Sequence, residues 1–216
     1  MKRLFLLATV VLVTLAAILG CQNPSSSTST PATSTVYQFK QTTGSGVWPT
    51  VKLGIEPLSG KTISHLTMTY AVDANTLASG LWANWEYDSS SNWSPNLTLA
   101  STADAWTTTA DVATSTFTTA SSSGAAFPGA SSFVSFDFGY ASASACSAWV
   151  KQVNIAYSDA STETLTFTSS ATTPVHSVVA GGATDAAFSS RFWTSDWTTT
   201  ADLSSGLTQG VTTVSF

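Results

Sequence analysis

The sequence predicts an all-β protein, an antiparallel β-sandwich, on three observations. From Val36 onward, apolar residues alternate with small polar ones at a period of two. The 216 residues include 36 Thr and 35 Ser, and the branched Thr side chain suits a pleat with one solvated face. Only 9% of the residues are charged, too few to solvate the outer faces of long helices.

The elements follow in chain order. In KTISHLTMTYAVD, residues 61–73, Leu66, Met68, Tyr70 and Val72 fall on one face and Thr67, Thr69 and Ala71 on the other. In LWANWEYD, residues 81–88, Leu81, Ala83, Trp85 and Tyr87 form the apolar set, opposite Trp82, Asn84, Glu86 and Asp88. In SSFVSFDFGY, residues 131–140, Val134, Phe136, Phe138 and Tyr140 are the buried set, with Phe133, Ser135 and Asp137 opposite. WVKQVNIAY, residues 149–157, puts Val153, Ile155 and Tyr157 on one face. TLTFT (164–168) and VTTVSF (211–216) add two short alternating runs. Clean alternation of this kind belongs to antiparallel sheets with one solvated face.

The N-terminus carries an address. Lys2-Arg3, an apolar stretch from Leu4 to Leu19 and then Gly20 have the order of a secretory signal over residues 1–20. ILGC, residues 18–21, resembles the bacterial lipobox, which implies that Cys21 is lipidated and begins the mature chain. Residues 21–35 then form a Ser-, Thr- and Pro-rich tether ahead of a body spanning 36–216. The expectation is an exported lipoprotein anchored in a membrane of the cell envelope or surface. Cys146 is the only other cysteine, so no disulfide framework is expected, and its small-residue surroundings read as those of a structural thiol. WTTTADV (106–112) is echoed by WTTTADL (197–203), but the neighbouring segments match poorly. A single sandwich is expected, with a possible boundary near residue 160, beside STET (161–164).

Charge and motifs narrow the function. The net charge is −5, and removal of Lys2 and Arg3 with the signal makes it more acidic, which argues against nucleic acid as a partner. His65 and His176 are isolated, with no further ligand at zinc spacing, so neither a metal nor another cofactor is expected. No G-x-S-x-G, H-E-x-x-H or P-loop pattern occurs.

The order SGKTISHLTMTYAVDA, GLWANWEYD, LTLASTADAWTTTADVATSTFTTA and SSFVSFDFGYASASACSAWVKQVNIAYSD resembles jelly-roll carbohydrate-binding modules with a galactose-binding-like fold. Gly60, the Leu66–Val72 strand, Trp106, Phe136-Asp-Phe-Gly139 and Val153-Asn-Ile155 stand at the family's landmarks, over about residues 45–158. The usual V-x-L-D-D-V ending is replaced by Trp149-Val-Lys-Gln-Val153, which has no Asp for a calcium contact. The resemblance implies glycan binding through aromatic side chains on a sheet face or its end loops.

A fitting constellation exists, because pyranose rings stack apolar C–H faces on indoles while their hydroxyls need amide or carboxylate partners. Trp82, Asn84 and Glu86 share one face of their strand. Trp93 follows a Ser-rich turn as a second platform, and Asp137 alternates away from Phe136, into a groove or into solvent. Trp85, Trp106 and Trp149 read as core. Arg191-Phe-Trp193-Thr-Ser-Asp196-Trp197 is a second contact patch or an edge-closing ion pair. The function expected is therefore non-catalytic glycan binding. One alternative is an envelope adhesin or structural interaction protein. A jelly-roll glycoside hydrolase is another, resting on the two acids of Glu86-Tyr-Asp88 although such enzymes need carboxylates facing across a cleft.

Overall fold

Alternation along the chain becomes two antiparallel sheets packed face to face. The structure is a computed structural model that describes residues 31–41, 50–78, 82–88, 92–139, 145–167, 192–196 and 207–216. The expected signal, Cys21, most of the tether, Leu81, Tyr140, His176, Arg191 and the 197–203 echo lie outside those residues. The strands are β1 (Thr33–Gln41), β2 (Thr50–Ile55), β3 (Ile63–Val72), β4 (Trp82–Tyr87), β5 (Thr107–Thr108) and β6 (Thr116–Thr118). They continue with β7 (Ser123–Ala126), β8 (Val134–Gly139), β9 (Cys146–Tyr157), β10 (Thr162–Thr166), β11 (Phe192–Asp196) and β12 (Leu207–Ser215). One short helix, α1 (Ala74–Ala78), is capped by Asp73, whose carboxylate accepts the Thr76 N–H at 2.7 Å.

One sheet runs β12-β1-β9-β3-β5, with β10 also paired to β9; a second runs β11-β2-β8-β4, and β6 and β7 pair with each other as a two-stranded ribbon. From β1 to β4 the chain crosses between sheets at every step, so sequence neighbours face each other across the core. The core is built from the expected faces. Leu66, Met68, Tyr70 and Val72 of β3 meet Ala83, Trp85 and Tyr87 of β4 and Val134, Phe136 and Phe138 of β8. Aromatic contacts close the gap between the sheets, with Phe39 on Phe138 at 5.0 Å and Tyr70 near Phe136 at 6.3 Å between ring centroids. At one end Phe117 of β6 and Phe127 pack on Tyr87.

Two bulges keep the long strands in phase. β9 pairs Val150 with Tyr70 but Gln152 with Thr69, so Lys151 is an extra residue. Inward positions are therefore Cys146, Ala148 and Val150 before it and Val153, Ile155 and Tyr157 after it. Ser64 plays the same part in β3, between Ile63 and His65. The β2–β3 turn uses Gly60 at φ +76°, a conformation that glycine adopts without a Cβ penalty.

Three expectations are corrected. The tether was expected to extend through residue 35, but Thr33, Ser34 and Thr35 already pair with Ser215, Val214 and Thr213 of β12. That partner lies at the other end of the chain, beyond the reach of local composition. The Trp106-led strand shrinks to Thr107–Thr108, because Asp111 caps a 3-10 turn at Val112–Thr114 by accepting the Ala113 N–H. Trp149 is buried, yet outside the main core: with Val36 and Ala71 it forms a small cluster on the outer face of the larger sheet. Trp106, only partly buried, packs on Phe216 in that same cluster.

Candidate functional site

The outer face of the four-stranded sheet is set by the same alternation that builds the core. Where Leu53, Ala83, Trp85, Phe136 and Phe138 point inward, their neighbours point outward. Register then aligns these outward positions into rows. Lys52 of β2 lies opposite Asp137 of β8, which lies opposite Asn84 of β4. Gly54, Ser135 and Glu86 form the next row, and an isolated bridge extends it from Glu86 to Trp93 and on to Thr118 of β6. In β11, Ser195 and Trp193 stand at the register positions beside Lys52 and Gly54.

This outward face is buried at its centre. Lys52, Glu86 and Asp137 are 5%, 6% and 9% exposed. The Lys52 ammonium donates to Glu86 Oε2 at 2.7 Å and lies 3.5 Å from Asp137 Oδ2, so one cation serves two carboxyl groups. Asn84 Oδ1, Glu86 Oε1, Ser135 Oγ and Asp137 Oδ1 are buried without a hydrogen bond of good geometry among the described residues, although Glu86 and Ser135 both approach the Asp137 carboxyl closely enough to influence it. Each such atom costs about 1–3 kcal/mol when dry and unpaired. Burial pushes the Asp137 carboxyl up to about 7; the Lys52 charge opposes that rise and the neighbouring Glu86 carboxylate adds to it.

Two indoles flank the cluster. Trp82 lies flat against Gly139, where a Cβ would come 2.5 Å from the ring. No larger residue fits that position, and the missing side chain lets the indole rest on the strand. Trp93 is 44% exposed. It is held by backbone bonds, its N–H donating to Thr118 O at 3.2 Å and its carbonyl accepting from Thr118 N at 2.8 Å.

Compared with known proteins, the chain matches no family model, no curated protein and no solved structure.

The structure thus brings Trp82, Asn84, Glu86 and Asp137 onto one face and sets Trp93 at its margin. Asp137 is corrected in one respect, being neither solvated nor open to a groove but buried against Lys52. Asp88 turns away from the group: at the strand's end it adopts φ 52° and its carboxylate accepts the Ser132 N–H at 2.9 Å. The sequence reading missed Lys52 and Ser135. Lys52 had a signal, since it is a lone cation within the strand TVKLGI, on the face opposite Leu53 and Ile55. Cys146 is buried in β9. His65 pairs with Asp111 at 2.9 Å, and no group of three metal-binding side chains occurs among the described residues.

Chemically the cluster combines acceptors, the two carboxyl groups and the Asn84 carbonyl, with donors, the Lys52 ammonium, the Asn84 amide and the Ser135 hydroxyl. Hydroxyl groups are the complement of such a surface, each able to donate and to accept without adding charge. An ammonium on both carboxyl groups is a poor arrangement for glycosidic hydrolysis, where the scissile oxygen must sit between an acid and a base or nucleophile.

Proposed function

We propose that this chain is a non-catalytic carbohydrate-binding lipoprotein of the cell envelope, exported and held to a membrane by lipid on Cys21. Its glycan contacts lie on the outer face of the four-stranded sheet and at the margin formed by Trp93. The observation that carries this reading is the exposed indole of Trp93, held by its bridges to Glu86 and Thr118 at the margin of the sheet face. An exposed indole face is what the apolar C–H face of a pyranose stacks on.

Two observations favour this over its rivals. Leu58 and Trp93 are the exposed large hydrophobics among the described residues, whereas a protein-docking surface calls for a contiguous apolar patch. Lys52 on both Glu86 and Asp137 favours recognition over hydrolysis.

The test is a glycan array probed with the purified full chain in detergent, with Trp93→Ala and Trp82→Ala beside it. Selective binding that weakens about tenfold, or ~1.4 kcal/mol, in Trp93→Ala is the expected result. A blank array from folded protein, or hits indifferent to both substitutions, would overturn the reading.

A further inference from the structure

We propose a second saccharide-binding groove, on the outer face of the other sheet, where β10, β9 and β3 lie side by side. It shares a ligand class with the surface above but none of its residues. The groove measures about 260 Å³ and is lined by His65, Thr67, Asp111, Asn154, Thr162 and Thr164. That is a little below the ~300 Å³ at which pockets for drug-sized molecules begin, so it suits one or two sugar units rather than a larger ligand.

Register explains how these residues meet. Thr164, Asn154 and Thr67 occupy one cross-strand row, and Thr162, Ala156 and His65 the next. Ala156 leaves a low floor between Thr162 and His65. Asp111, brought in by the 3-10 turn, stands beside His65 as a wall.

Hydrogen-bonding groups dominate the chemistry presented to a ligand. Asp111 is already occupied: Oδ2 accepts from His65 Nδ1 at 2.9 Å, and Oδ1 accepts the backbone N–H groups of Leu66 at 3.3 Å and Ala113 at 2.9 Å. Glu163, at the same rim, accepts the Tyr157 hydroxyl at 2.6 Å. Both carboxylates keep their charge but have oxygens engaged by donors, and among the described residues no lysine or arginine lines the groove to hold an anion. What faces outward is a set of oriented hydrogen-bonding groups. A carboxylate only accepts, so His65 Nδ1 is the donor, and Nε2 is the ring nitrogen left for a ligand. Asn154 Oδ1 accepts from the Thr164 hydroxyl at 2.9 Å, which fixes the amide and directs Nδ2 to donate elsewhere. Thr67 and Thr162 add hydroxyls that serve in either sense. The amide donor, the ring nitrogen and the hydroxyls, held in place by these bonds, match a polyhydroxylated ligand.

The experiment uses the full chain against an array of neutral gluco-, xylo-, manno- and galacto-configured oligosaccharides, with hits measured by calorimetry. The expected result is at least one ligand whose affinity falls about tenfold in both His65→Ala and Asn154→Ala while remaining unchanged in Trp93→Ala. Unfolding curves of both variants should overlay the parent's, because His65 is an exposed side chain. Ligands lost in Trp93→Ala but indifferent to His65→Ala and Asn154→Ala would overturn this groove and leave the Trp93 surface standing. Sensitivity to His65 and Asn154 alone would support the groove and overturn the Trp93 surface. No binding by folded protein overturns both.

Discussion

Lys52 is the residue on which the outer face of the four-stranded sheet turns. Its ammonium is the cation within 4 Å of both Glu86 and Asp137, and all three side chains are buried. Removing the cation is costly because it leaves two buried carboxyl groups without a counter-charge. Lys52→Met, which keeps the length of the side chain, should therefore lose about 3–5 kcal/mol in urea unfolding at pH 8. A loss below about 1 kcal/mol would mean that water reaches the cluster. Asp137 should also shape the pH dependence. Its carboxyl is raised from an ordinary 3.8 to about 7, chiefly by burial, so between those values the folded chain keeps a proton that the unfolded chain has released. Stability from this group is complete below about pH 4 and falls as pH rises towards 7. Asp137→Asn should flatten that slope and unfold at higher urea than the parent at pH 8. An unchanged slope would place the titration elsewhere.

β9 is the element that decides the larger sheet. It pairs with β3 along one edge, and with β1 and then β10 along the other. Its twelve residues stay in phase with the core only because Lys151 is inserted between Val150 and Gln152. Deleting Lys151 shifts one half of the strand by a residue. Either Val153, Ile155 and Tyr157 or Cys146, Ala148 and Val150 then leave the core. The deletion should give insoluble or dye-binding protein. Lys151→Ala keeps the register and loses only the approach of Nζ to the Trp106 ring, 5.2 Å from its centroid; it should cost less than about 1 kcal/mol. A soluble, cooperatively melting deletion mutant would show that β9 can re-register. This bulge is invisible to a period-two reading of WVKQVNIAY alone, because VK and KQ both fit an alternation until the partner strand is known.

At the scale of the whole molecule, the proposed attachment is tested by fractionation. Cys21→Ser should move the protein from the membrane to the soluble fraction. Retention of the variant in the membrane would argue against lipid on that residue. The sandwich itself was legible because alternation is a local property: Leu66, Met68, Tyr70 and Val72, or Val134, Phe136 and Phe138, declare their face from sequence alone. So was the shared face of Trp82, Asn84 and Glu86, which follows from the same period.

What the local pattern cannot contain is which strand lies beside which. Asp137 read as a groove-facing or solvated acid until β2 brought Lys52 opposite it, 85 residues away in the chain. Trp149 read as core until its strand neighbours Ala71 and Gln38 placed it on an outer face. Thr33–Thr35 read as tether until β12 supplied a partner. Local alternation in the sequence was enough for the inward faces of β3, β4, β8 and the second half of β9, because a side chain's direction depends only on its own backbone. The tertiary structure alone decided which charges meet, which indole stays exposed and where a groove forms, because these depend on register between strands far apart in sequence.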